Sequence, residues 1–146
     1  MYLKSSLIQF FLFVISLNLF AQTNTGWLPI GLSASGKNMQ NGVEAFYQLG
    51  KCNSEDVICI KFINNNNFGV NMEWNDAVFT MEHKWISNVK TEKRKCLTLG
   101  QGETVSGDCK KNKNSELRVK INEFITDIKD FNLFGLNNFK VTSIIE

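Results

Sequence analysis

Apolar and polar residues alternate one for one along much of this chain, and the pattern is clearest over 57–81. Ile58, Ile60 and Phe62 share one side, with Val57, Cys59, Lys61 and Ile63 on the other. Further on, Phe68, Val70, Met72 and Trp74 alternate with Gly69, Asn71, Glu73 and Asn75. Side chains of a strand change face at every residue, so each run predicts a strand with one oily and one mostly wet face. A helix would set Asn71 beside Phe68 and Met72 and bury an amide for no return. The four asparagines at 64–67 suit a turn, because Asn tolerates positive φ and can bond its own backbone. The expectation is a central hairpin.

The same period recurs on both sides. Trp27, Leu28 and Ile30 predict a short strand that Pro29 restricts to an edge. Val43, Ala45 and Tyr47 alternate with Glu44, Phe46 and Gln48, a strand apolar on both faces and so more central. Asn75 and Asp76 are expected to separate the hairpin from a further piece at Val78 and Phe79. Leu97 and Leu99 lead into a glycine turn at Gly100 and Gly102, and Leu117, Val119 and Ile121 alternate with polar neighbours. Phe124, Ile125, Ile128 and Phe131 fall at helical spacing, which leaves open a short helix or an irregular crossing. Phe131, Leu133, Phe134, Phe139, Val141 and Ile144 predict one or two last strands. Seven to nine short strands with Gly and Asn turns make an all-β antiparallel sandwich, without a repeat or a second domain.

The beginning of the chain has a different character. Lys4 precedes an apolar run over 7–20, followed by Ala21 and Gln22. That order describes a secretory signal peptide over 1–21, ahead of a domain over 22–146. The run is shorter than the ~20 residues a bilayer core needs, and Gln9, Ser16 and Asn18 interrupt it. No cysteine lies near the expected cleavage point, so a lipid anchor is not expected. The expected location is secreted, periplasmic or cell-surface.

Export changes the reading of Cys52, Cys59, Cys96 and Cys109, because an oxidising compartment favours two disulfides. A loop centred on Glu55 would bring Cys52 across from Cys59. A hairpin around the two glycines would bring Cys96 across from Cys109. Both expected bridges, Cys52 with Cys59 and Cys96 with Cys109, would clip short loops on the outside of the sheets.

The residues over 41–106 resemble small exported bacterial domains with an immunoglobulin-like sandwich. The resemblance rests on the strand from Gly42 to Tyr47, the Asn-rich turn, and the Leu99, Gly100, Gln101, Gly102, Glu103, Thr104 turn. Gln101 stands where the usual proline would be, and no cysteine pair straddles a core Trp. The resemblance implies a fold and no activity.

Charge adds a candidate surface. Sixteen Lys and Arg stand against 14 Asp and Glu, and loss of Lys4 with the leader leaves the domain near neutral. Over 84–113, however, Lys84, Lys90, Lys93, Arg94, Lys95, Lys110, Lys111 and Lys113 face only Glu92, Glu103 and Asp108. With Trp85 among them, these cations could meet an anionic glycan or a protein outside the cytoplasm. Lysines also protect exposed edge strands, a competing role. Nucleic acid is not expected as a partner.

Enzyme chemistry finds less support. His83 is the only histidine and sits between charges, far from what a nucleophile and base require. Glu73 and Asp76 flank Trp74, but Glu73 belongs to the wet face and Trp74 to the oily one, so they do not converge as a glycosidase pair would. No metal set or phosphate-binding glycine loop is present, and no cofactor is expected. The reading is a non-enzymatic exported binding domain for a protein or glycan. The alternative is a small hydrolase, or a hydrolase inhibitor acting through a clipped loop from Asn53 to Ile58.

Overall fold

A computed structural model describes residues 26–32, 36–87, 94–110 and 114–144. Among them, ten strands form two antiparallel sheets, and no helix is long and apolar enough to cross a membrane. In the first sheet, β3 (Val43–Cys52) and β4 (Glu55–Asn64) are the long central strands. Two edge pieces, β1 (Leu28–Pro29) and β2 (Met39–Gln40), lie on β3, while β8 (Thr104–Ser106) and β9 (Arg118–Lys120) lie on β4. The second sheet centres on β5 (Val70–Thr80). The 13-residue β10 (Phe131–Ser143) runs along one side of it. Along its other side lie β6 (Trp85–Ser87) and β7 (Lys95–Leu99), end to end.

The alternating apolar positions supply the interior. Ile58, Ile60 and Phe62 of β4 and Val43, Ala45 and Tyr47 of β3 face Val70, Met72, Trp74 and Val78 of β5 and Phe134 of β10. Phe62 lies edge-on to Trp74 at 5.1 Å between ring centroids and stacks on Phe139 at 5.8 Å. Each of the larger side chains taken from water contributes about 1.5–3 kcal/mol, so the facing rows hold the two sheets together.

Four expectations are corrected. First, the arms of the central hairpin are strands, but they do not pair: β4 belongs to the first sheet and β5 to the second. Their oily faces meet across the interior, and the asparagines arch between sheets. Asn64, only 1% exposed, anchors that arch. Its Nδ2 donates to Phe68 O at 2.9 Å and Gly100 O at 2.8 Å, and its Oδ1 accepts from Asn66 N at 3.0 Å. The arch leaves Phe68 exposed and not in the core.

Second, β7 and β8 do not form a hairpin either. β7 pairs with β5 and β8 with β4, so Gly100 to Glu103 is a second arch beside the first. The two are stitched by Asn64 N donating to Glu103 O at 2.9 Å and Gly102 N to Asn66 O at 3.2 Å. The β2–β3 turn joins the same corner, with Asn66 Nδ2 on Asn41 O at 2.9 Å. Gly42 is required there: its φ is +75°, and a Cβ would come 2.2 Å from Asn66 Oδ1.

Third, the disulfide joins Cys52 to Cys109, with Cα atoms 5.3 Å apart, and Cys59 and Cys96 are free thiols. The β3–β4 turn lies at Asn53 and Ser54, both with positive φ, as a two-residue hairpin turn requires. Cys52 therefore faces Glu55, and Cys59 faces Gln48. The two cysteines share a face but sit about 13 Å apart along the hairpin, beyond the ~7 Å limit for a bridge. Cys96 lies in β7 of the second sheet, and Cys109 lies in a bend beyond β8 of the first. The actual bridge spans 57 residues and so constrains the unfolded chain by about 4 kcal/mol, more than either expected clip.

Fourth, Asn75 and Asp76 do not interrupt β5, because Asp76 is buried with partners of its own. The stretch before β10 crosses irregularly through the short 3-10 turns Ile121–Glu123 and Ile128–Asp130.

Candidate binding face

The outward positions of the second sheet form the candidate site. Register places Leu133 of β10, Phe79 of β5 and Trp85 of β6 in one row across the sheet. A tight turn at 81–84 returns the chain to put Trp85 there: Thr80 N donates to Lys84 O at 2.9 Å, and His83 N to Thr80 O at 3.0 Å. Trp85 is 53% exposed, yet its ring is seated. It meets Phe79 at 5.1 Å, and a Cβ on Gly135 would come 2.7 Å from its Cη2 and Cζ3. A bare glycine in mid-strand thus makes the bed on which the indole lies. Met81, in the turn, is exposed beside this row.

The next rows are polar. Gly135, Ala77 and Ser87 align in one, Asn137 and Asn75 in the next, and Lys140, Glu73 and Cys96 beyond them. Asn137 Nδ2 donates to Ser87 Oγ at 2.9 Å, and Asn138 Nδ2 to Asn75 Oδ1 at 3.4 Å. Asn138 reaches this position through a bulge in β10, at a φ of +54°.

The described basic residues do not form one patch. Lys84 pairs with Glu82 at 2.9 Å beside Trp85, and Arg94 pairs with Glu73 at 2.8 Å on the outer face. Lys95 points the opposite way, inward to Asp76 Oδ2 at 2.5 Å. Lys110 is exposed in the first-sheet half, next to Cys109. Lys90, Lys93 and Lys111 lie outside the described residues. Neighbours in sequence are separated because Arg94, just before β7, and Lys95, its first residue, turn to opposite sides of the sheet.

The inner face holds the other notable group. Asp76 accepts from Trp74 Nε1 at 3.0 Å and meets Lys95, whose Nζ also donates to Glu116 O at 2.8 Å. Burial pushes the Asp76 carboxyl above its ordinary range, outweighing the attraction of Lys95 and its hydrogen bonds. Burial also raises the Cys59 thiol, against the opposing pull of Arg118, so it stays protonated near neutral pH. His83 is exposed, with its ring 6.0 Å from Phe79. The stretch proposed as a clipped loop is a two-residue turn that enters β4 at Glu55.

Trp85 is named by the sequence, but Phe79, Leu133, Gly135 and the amides are not. The available signals were Phe79 at a wet-face position and a glycine within an apolar strand. Comparison with protein families, with curated proteins and with solved structures finds no match to this chain.

Proposed function

We propose that this chain is an exported, non-enzymatic recognition domain of immunoglobulin-like build. Its partner meets the outer face of the second sheet at the row of Trp85, Phe79 and Leu133. The observation that carries the reading is a large ring held firmly with half its surface open. An exposed aromatic fixed in place offers contact area without an ordering cost on binding, which is why Trp dominates recognition surfaces. The Cys52–Cys109 bridge is compatible with an oxidising compartment.

The test is sedimentation of purified protein with washed cell-surface material from the source cells. Trp85→Ala is expected to lower retention at least tenfold while circular dichroism stays the same, with Trp85→Phe retaining part of it. Equal retention of Trp85→Ala and wild type would overturn this placement of the site.

A further inference from the structure

We infer that the ligand of the Trp85 face is an uncharged glycan, with the adjoining amides reading its hydroxyl groups. This rests on the reading that the Trp85 row is the recognition surface. Two features beyond that row point to the ligand class. Ser87, Asn75, Asn137 and Asn138 occupy the rows next to the indole on the same face. Two residues of strand separate neighbouring rows, so the Phe79 row and the Asn75 row lie about 13 Å apart along β5, with the indole reaching over Gly135 between them. A short oligosaccharide covers that span.

The chemistry matches at both ends. One face of a pyranose ring carries C–H groups that pack on an indole, while its hydroxyls both donate and accept hydrogen bonds. An Asn amide also does both, with two donors and a carbonyl acceptor. The bonds among these side chains leave capacity: Asn75 and Asn137 are half-buried and Ser87 and Asn138 exposed.

Charge favours the same class. Glu73 is neutralised by Arg94, and Lys84 by Glu82, at 2.8 and 2.9 Å. Among the described residues, the one further cation in these rows, Lys140, lies across from Glu73 on the far side of the amides from the indole. A polyanion would have to break existing ion pairs, whereas an uncharged sugar leaves them intact.

Affinity gel electrophoresis tests this with soluble uncharged polymers (a β-glucan, a xylan, a mannan) and anionic ones (alginate, heparin). At least one uncharged polymer should retard the wild type, and retardation should survive about 0.5 M salt, where ionic attraction is screened within a few ångström. Trp85→Ala should abolish it. The double variant Asn75→Ala, Asn137→Ala should weaken it at least fivefold with the fold unchanged by circular dichroism. Retardation by none of the uncharged polymers, retardation by anionic ones alone, or an unaffected double variant would each overturn the assignment. So would surface retention that needs Trp85 but disappears after protease treatment of the cell material, which would make the partner a protein. Surface retention indifferent to Trp85→Ala would instead remove the face itself, and with it the parent reading.

Discussion

The two faces of the second sheet carry nearly the same kinds of residue and use them in opposite ways. Each has a tryptophan, an acid and a cation. Inside, Trp74 is fully buried and bonds Asp76, which holds Lys95. Outside, Trp85 is half exposed and Glu73 pairs with Arg94 in water. Strand parity alone separates the sets, since Glu73 and Trp74, or Arg94 and Lys95, differ by one position. The same chemistry therefore acts as structure on one side and is available for recognition on the other. The asparagines repeat the contrast: Asn64 is saturated within the arch, and Asn75 and Asn137 stay partly open.

Removing the inner cation should have the largest effect. Lys95→Met leaves Asp76, whose side chain is 6% exposed, facing a thioether. Breaking a buried pair costs about 3–5 kcal/mol, and Lys95 at 23% exposure places the loss at about 3 kcal/mol in urea unfolding at pH 7. The penalty should shrink in acid, because a protonated Asp76 needs no cation. The sign of the pH effect in the wild type follows from the raised carboxyl. Between the ordinary carboxylate range and the raised value, the folded chain binds more protons than the unfolded one. This group's contribution is therefore best below that window and is lost as pH rises through it. Wild-type stability relative to Asp76→Asn should fall as pH increases from 4 to 7, and a difference that rises would mean that Lys95 governs the carboxyl.

Next comes the arch. Asn64→Ala deprives Phe68 O, Gly100 O and Asn66 N of a partner in a part-buried corner. The expected loss is about 2 kcal/mol, read as a fall in melting temperature of about 5–10 °C. Asn137→Ala on the open face should stay within about 0.5 kcal/mol. Comparable losses at the two positions would remove the distinction between closed and open amides.

How much of this was legible in the sequence follows from the same geometry. Period-two alternation reports which way a side chain points, so Ile58, Phe62, Met72 and Trp74 were placed in the interior by pattern alone. Alternation is silent on whether two strands joined by a turn lie side by side or face each other. The 64–67 asparagines suit either, and only the backbone partners around Asn64 and Gly100 decide for an arch. The disulfide was misassigned for a related reason: a turn centred two residues earlier, at Asn53 and Ser54, moves Cys52 out of line with Cys59. The aromatic row went unseen because it assembles from three strands, and its bed, Gly135, lies 50 residues from Trp85 in the chain.

Trp85→Ala should cost about 1–2 kcal/mol, because only the half of the ring resting on Phe79 and Gly135 leaves contact.

The smallest effect is expected at Arg94, which makes it the sharpest check on the outer face. Arg94→Ala frees Glu73, but both side chains are well exposed, 54% and 39%, so water replaces the lost partner. Exposed pairs contribute up to about 1 kcal/mol, and salt screens what they do contribute. The change should lie within about 0.5 kcal/mol in chemical denaturation and vanish at about 0.5 M salt. A loss of about 2 kcal/mol or more would place Glu73 in a dry environment. The outer rows would then be covered in solution, and the contrast with Lys95, one residue away, would collapse.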